Sequence, residues 1–219
     1  YQYSSELLIV NDSQITSNTS YGLYCNNSSN PVTLSSTSFN SNSTALRIGA
    51  NRIGFCSSLT FSDNTNDYIE CLGAQVERDG TWENMPLPYL FTGEVYIQGK
   101  DGDDNMTTVS VAPGTEMQFN NNIGITVGDD SDLELPGALI ANAADSDQIT
   151  FTRRGTSGNW DGIYFANYSD DATSILNNCL IQYGGSQSDS VYCNFASPTL
   201  EDVTISDGNR RGVYCNNSS

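Results

Sequence analysis

The sequence contains no histidine, and only 8 of its 219 residues are lysine or arginine, against 26 aspartates and glutamates. Without imidazole, Ser–His–Asp and Cys–His nucleophilic sets are excluded. Ordinary zinc ligation goes with them, because no C-x-x-C pair is present either. A net charge of −18 leaves no basic face to neutralise phosphate, which argues against nucleic acid and anionic membranes as partners. No apolar run approaches the ~18 residues of a membrane span, so no membrane insertion is expected. No stretch keeps apolar residues at helical spacing, and the L-x-x-L-x-L-x-x-N framework of leucine-rich repeats is missing. No signal peptide is visible, although a chain beginning at Tyr1 is compatible with a mature or truncated product.

What the chain does have is repetition. Residues 21–29 read YGLYCNNSS and residues 211–219 read RGVYCNNSS, an offset of 190. A shorter period lies inside the longer one. Val191-Tyr192-Cys193 returns as Val213-Tyr214-Cys215. By a similar spacing Leu176 registers with Leu200, Cys179 with Val203 and Ile181 with Ile205. Each unit holds two or three short alternating segments separated by Asn, Ser, Gly and Asp, the signal of half-buried strands. A unit of about 22–24 residues cannot bury its own apolar face and must stack on its neighbours. The expectation is an all-β, right-handed parallel β-helix of about nine rungs, a rod on the order of 45 Å long at ~4.8 Å per rung.

Two stretches resemble the right-handed β-helix repeat proteins of microbial cell surfaces. The first runs from Gly80-Thr81-Trp82 through Gly93-Glu94-Val95-Tyr96-Ile97 to Val111-Ala112-Pro113-Gly114-Thr115-Glu116-Met117-Gln118-Phe119. The second contains Gln148-Ile149-Thr150-Phe151-Thr152, Trp160-Asp161-Gly162-Ile163-Tyr164-Phe165 and Ile181-Gln182-Tyr183-Gly184-Gly185. The resemblance covers residues 75–219. It implies the closing rungs of one module over 1–74 and the opening and middle rungs of the next over 75–219, with a period of about 190. The chain then reads as one window of a tandem array. A single β-helix with similar rungs is the alternative. Such families are functionally mixed, so the resemblance carries no activity by itself.

Six cysteines in a chain this rich in Asn, Ser and Thr point to an extracellular, cell-surface setting. Cys193 and Cys215 fall on adjacent rungs at disulfide spacing, or they fill a core slot as free thiols. Cys25 and Cys71 share a column two rungs apart, and Cys56 and Cys179 replace Leu34 and Val203 in the core. Asn11, Asn18, Asn26, Asn27, Asn42, Asn105, Asn167, Asn216 and Asn217 are N-x-S/T glycosylation candidates. Asparagine equally suits left-handed turns and inward ladders.

Two acidic loops are candidate calcium sites: Asp101, Asp103, Asp104 and Asn105, then Asp129, Asp130 and Asp132. Neither completes an EF-hand or a G-G-x-G-x-D roll, and a plain solvated loop is the alternative. The pairs Arg153-Arg154 and Arg210-Arg211 are expected in surface ion pairs, and Trp82 and Trp160 in packing. A pectate-lyase-like enzyme would need clustered carboxylates beside a base. Asp202, Asp207 and Arg210 or Arg211 come nearest, with Asp161 a further candidate, but no family catalytic motif is present. Tyr24, Tyr164, Tyr183, Tyr192 and Tyr214 are candidate sugar platforms or an outward ladder. The reading reached is a non-enzymatic structural rod, a surface stalk, adhesin or filament. Its main partner is itself, with surface glycans second. The alternative is a polysaccharide-binding or polysaccharide-cleaving β-helix.

Overall fold

Short segments with alternating apolar residues turn one face inward and leave two backbone edges to be paired above and below. The computed structural model describes residues 8–25, 32–144 and 146–216 and pairs those edges axially. Every strand pairing among the described residues is parallel, each strand meeting its counterpart one coil away. Parallel pairing of successive coils requires a crossover, and backbone chirality makes that crossover right-handed. The protein is a right-handed parallel β-helix.

One face runs the length of the described rod. Its eight strands are Tyr21–Cys25, Thr44–Gly49, Ile69–Leu72, Tyr89–Phe91, Glu116–Phe119, Ile149–Arg153, Cys179–Gln182 and Thr204–Ser206. The second face has six: Ala74–Val76, Val95–Ile97, Gly124–Val127, Gly162–Phe165, Val191–Asn194 and Val213–Asn216. The third has five: Gly80–Trp82, Thr107–Val111, Gly137–Asn142, Ile175–Asn177 and Thr199–Glu201. Beside the first coils run two three-stranded sheets. One is Leu8–Asn11, Val32–Ser35 and Cys56–Ser57; the other is Gln14–Thr16, Ser38–Asn40 and Thr60–Ser62. Ala74–Val76 and Gly80–Trp82 join neither of these and instead pack on the 3-10 segment Ala50–Phe55.

The short spacing expected from the sequence holds near both ends: Leu23 pairs with Leu46 and Ile181 with Ile205. In the middle the coils lengthen, so that Ile97 pairs with Val127 and Val127 with Phe165. The added residues lie outside the strands, which keeps the inward columns intact. One column reads Cys25, Ile48, Cys71, Phe91, Phe119. A second reads Val76, Ile97, Val127, Phe165, Cys193, Cys215, and a third Trp82, Val111, Ala141, Leu176, Leu200. Phe91, Phe119 and Trp160 stack face to face at centroid distances of 5.0 and 4.4 Å, with all three rings buried. Phe91 and Phe119 share a register position and Trp160 joins them from outside the strands; such stacking buries aromatic area and adds about 0.5–1.5 kcal/mol per contact.

Turn chemistry repeats with the coils. Residues Asp12 and Ser17, Ser36 and Ser41, Ser58 and Asp63, Asn178 and Tyr183, and Asp202 and Asp207 all have φ between 46° and 60°. Each pair brackets one short strand. Asp, Asn and Ser tolerate the left-handed region because their short polar side chains bond the local backbone.

Candidate functional site

A glycine column marks the corner between the eight- and six-stranded sheets. A Cβ on Gly73 would sit 2.5 Å from the Gly93 backbone, and one on Gly124 2.8 Å from the Gly162 carbonyl. Gly162 has φ 116°, which side chains rarely adopt. The missing side chains let the coil backbones close on one another, and beside Gly73 and Gly93 lies a groove of about 440 Å³. Tyr24 and Tyr96 flank it, 48% and 41% exposed, and Gln75, Thr92 and Glu94 supply polar groups. It is an open surface groove and not an enclosed pocket.

Beyond Glu94 the corner closes to a recess of about 20 Å³ containing Asp161 and Asp189. Burial pushes the Glu94 carboxyl above its ordinary value; the Gly124 N–H, donated at 3.0 Å, opposes this, and the charge of Asp161 adds to it. A raised acid beside a second carboxylate is the pairing that glycoside hydrolysis uses. Here, however, Asp161 Oδ1 already accepts the Gln187 and Ser188 N–H groups at 2.9 and 3.0 Å and the Ser186 hydroxyl at 3.3 Å. Asp189, 3% exposed, is held by the Arg211 guanidinium at 2.8 and 3.0 Å. The recess has room for about one water, whose share of liquid volume is ~30 Å³, and not for a sugar ring. These carboxylates lock turns.

The outward face of the six-stranded sheet carries a tyrosine ladder. Tyr164 meets Tyr192 edge-on at 4.9 Å between centroids, and Tyr192 meets Tyr214 at a tilt at 5.0 Å. Tyr164 donates to Asp130 Oδ2 at 2.5 Å, and the Arg211 guanidinium lies 3.7 Å from the Tyr214 ring centroid. Tyr24 belongs to the other corner sheet, with Arg47 over its ring at 4.8 Å. Tyr183 is covered by Arg153 at 3.9 Å. Trp82 and Trp160 are fully buried.

Most of the calcium candidates are engaged in hydrogen bonds, some within their own loops and some to other coils. Asp101 Oδ2 accepts the Asp79 N–H, and Asp104 Oδ1 accepts that of Met106. Asp129 Oδ1 accepts from Ser131 and Asp132, which holds its carboxyl below the ordinary value. Asp132 Oδ1 caps Glu134, and Asp130 gathers Tyr164, Asn167 and Asn194. Asp103 and Asn105 are exposed in the first loop. Among the described residues no three His, Cys, Asp or Glu side chains converge as a metal-holding group. Asp202 and Asp207 occupy left-handed turn positions, and Arg211 is committed to Asp189. Arg154 pairs with Asp67 at 2.9 Å, whereas Arg153 departs from the expected ion pair and donates to the carbonyls of Thr156 and Gly158.

The sequons divide. Asn42 is 1% exposed and sits in a ladder, so it is closed to modification in the folded chain. Its Oδ1 accepts both N–H groups of Asn18, and its Nδ2 donates to the Ile15 carbonyl and to Asn64 Oδ1. Asn18 shares that ladder. Asn11 and Asn105 are exposed, Asn167 and Asn216 half-buried, and Asn216 donates to Asn194 at 2.7 Å. Asn26, Asn27 and Asn217 lie outside the described residues.

All six cysteines are free thiols, and only Cys215 is exposed. Cys193 and Cys215 are in register on adjacent strands, and Cys25 and Cys71 share a column with Ile48 between them. Burial pushes the thiols of Cys56, Cys179 and Cys193 up to about 12.

Sequence reading missed Glu94, Asp189 and the corner groove. The signal was present in the recurring Gly124-Ile125, Gly162-Ile163 and Gly212-Val213 pairs, each a glycine just ahead of an inward residue. No family model, curated protein or solved structure matches the chain.

Proposed function

We propose that this chain is a non-enzymatic structural module, a stiff β-helical rod that builds an extracellular stalk, adhesin or filament by axial repetition. The observation that supports this reading is the long-period recurrence of sequence between 21–29 and 211–219, and the turn pairs of the short coils return in step with it. Asp12 and Asp202 have φ of 47° and 48°, and Ser17 and Asp207 have φ of 60° and 55°. Gln14–Thr16 and Thr204–Ser206, bracketed by these residues, match at the same offset. A strand–turn pattern that returns at both ends of the described rod is what a tandem array or an end-to-end assembly requires. A high acidic charge keeps such a rod soluble, and axial backbone pairing gives stiffness. On this reading residues 1–74 close one module and 75–219 open the next, as in the microbial surface β-helix repeats that the sequence resembles. The exposed sequons Asn11, Asn18 and Asn105 are then the candidate acceptor sites.

Negative-stain imaging followed by cryo-EM of the native material tests the proposal. Long fibres with a regular axial repeat are expected, and discrete particles a few tens of ångströms long would overturn it. A second reading, contact with a neutral glycan, is favoured by the Tyr24–Tyr96 groove, where exposed rings flank a polar floor. Binding of a glycan array, lost in Tyr96→Ala, is its test.

A further inference from the structure

The two copies of the repeated segment do not lie on the same face. Tyr21–Cys25 begins the eight-stranded sheet, whereas Val213–Asn216 ends the six-stranded one. Seven steps along the eight-stranded sheet carry the chain from Tyr21–Cys25 to Thr204–Ser206, and each step is one full coil. The next strand, Val213–Asn216, lies one face further round. The bracketed strand shows the same shift: Gln14–Thr16 sits in a three-stranded sheet, and its counterpart Thr204–Ser206 in the eight-stranded one. One long period, from Cys25 to Cys215, therefore winds seven coils and a third.

We infer that the terminal edge formed by Thr199–Glu201, Thr204–Ser206 and Val213–Asn216 is completed by a second copy of residues 32–49, turned by one face about the axis. The inference rests on the rod reading above. The register follows from the first copy. Leu23 pairs with Leu46 and Cys25 with Ile48, so the incoming Leu46 stacks on Val213 and the incoming Ile48 on Cys215. Ile15 pairs with Phe39, so the incoming Phe39 covers Ile205. The left-handed turn pairs then continue without a break and at nearly equal steps: Asn178 and Tyr183, Asp202 and Asp207, then the copies of Ser36 and Ser41 and of Ser58 and Asp63. Among the described residues nothing pairs with that edge, and Val213 is 44% exposed. The six-stranded sheet of one repeat becomes the eight-stranded sheet of the next. Three repeats complete 22 coils and restore the starting face. Each repeat rises about 35 Å at ~4.8 Å per coil. A corner groove placed once per repeat then faces three directions in turn along the rod.

A chain of two repeats tests this, made by following Ser219 directly with a second copy of residues 30–219, since 211–219 already matches 21–29. Leu46→Cys is placed in the second repeat and Val213→Cys or Ile205→Cys in the first. Diamide is added to take up the two electrons and two protons as the S–S bond forms, and the links are mapped by peptide mass. The expected result is a 213–46 link. In addition, alkylation of the first repeat's Cys215 should be slowed on the order of a hundredfold relative to the single-repeat chain, the protection that a closed strand gives, while the second repeat's Cys215 stays fast. A 205–46 link would show repeats stacking without rotation, overturning this inference while leaving the rod. Neither link, with Cys215 alkylating as fast as in the single chain, would show that the repeats do not stack, and both readings would fall.

Discussion

Asn42 offers the sharpest test of what holds the first coils together. Its side chain makes four hydrogen bonds, accepting from Asn18 N and Nδ2 at 3.1 and 2.8 Å and donating to the Ile15 carbonyl and Asn64 Oδ1 at 3.0 and 3.1 Å. At about 1 kcal/mol net for each bond, Asn42→Ala removes about 4 kcal/mol if none is replaced. Asn18 is exposed, so its freed N–H groups regain water and the loss falls to about 2–3 kcal/mol. The Ile15 carbonyl and the buried slot itself do not recover so easily. Asn11→Ala is the control: Asn11 is exposed, and its side chain accepts one bond, from Ser35 Oγ. Its loss should cost less than about 0.5 kcal/mol. Urea unfolding followed by far-UV circular dichroism reads both, with the slope checked because coiled repeats can unfold in parts. An Asn42→Ala variant within about 0.5 kcal/mol of the parent would refute the ladder as a stabilising element. Expression in a glycosylating host gives a second readout, in which Asn42 stays bare while Asn105 is modified.

Phe119→Ala should cost about 4 kcal/mol, because the ring is fully buried between Phe91 and Trp160. Phe61→Ala, stacked on Phe39 alone and only partly buried, should cost about half as much, and equal losses would undo the argument from continuous stacking. Glu94→Gln keeps a carbonyl for the Gly124 N–H and removes a desolvated charge facing Asp161. A raised folded pKa means that the Glu94 contribution is fully present below the unfolded value of 4.5 and lost as pH rises through the folded one. The variant should therefore melt higher than the parent at pH 7 and match it near pH 3; a lower melting temperature at pH 7 would contradict this. Ellman titration at pH 8 should find one fast thiol, Cys215, with the buried thiols reacting only on unfolding. Early reaction of Cys56 or Cys179 would contradict their burial.

Much of this architecture was legible because it is local. Alternation in Val191-Tyr192-Cys193 and Val213-Tyr214-Cys215 fixed which side chains face inward, and the step between the two runs fixed their register, which the structure repeats pair for pair. Leu176 with Leu200 and Ile181 with Ile205 follow for the same reason. The acidic loops were ambiguous in sequence, because a carboxylate that ligates a cation and one that caps a turn look alike there. Only the positions of the Ser131, Asp132 and Glu134 N–H groups separate the two roles. The burial of Asn42 was likewise not legible, since a sequon says nothing about burial.

The sequence by itself determined the solenoid, its rung chemistry and the long-period recurrence, all set by short-range periodicity and by the need of a half-apolar strand to be covered on both edges. The tertiary structure alone decided on which face each copy lands. That depends on how much chain each coil takes up outside its strands, which is least between Cys71 and Phe91 and greatest between Val127 and Phe165. A turn of any length that returns to register costs the strands nothing, so loop length leaves no mark on the apolar pattern. The coil count accumulates those lengths and sets the phase of the rod, along with the corner where the glycines of successive coils meet.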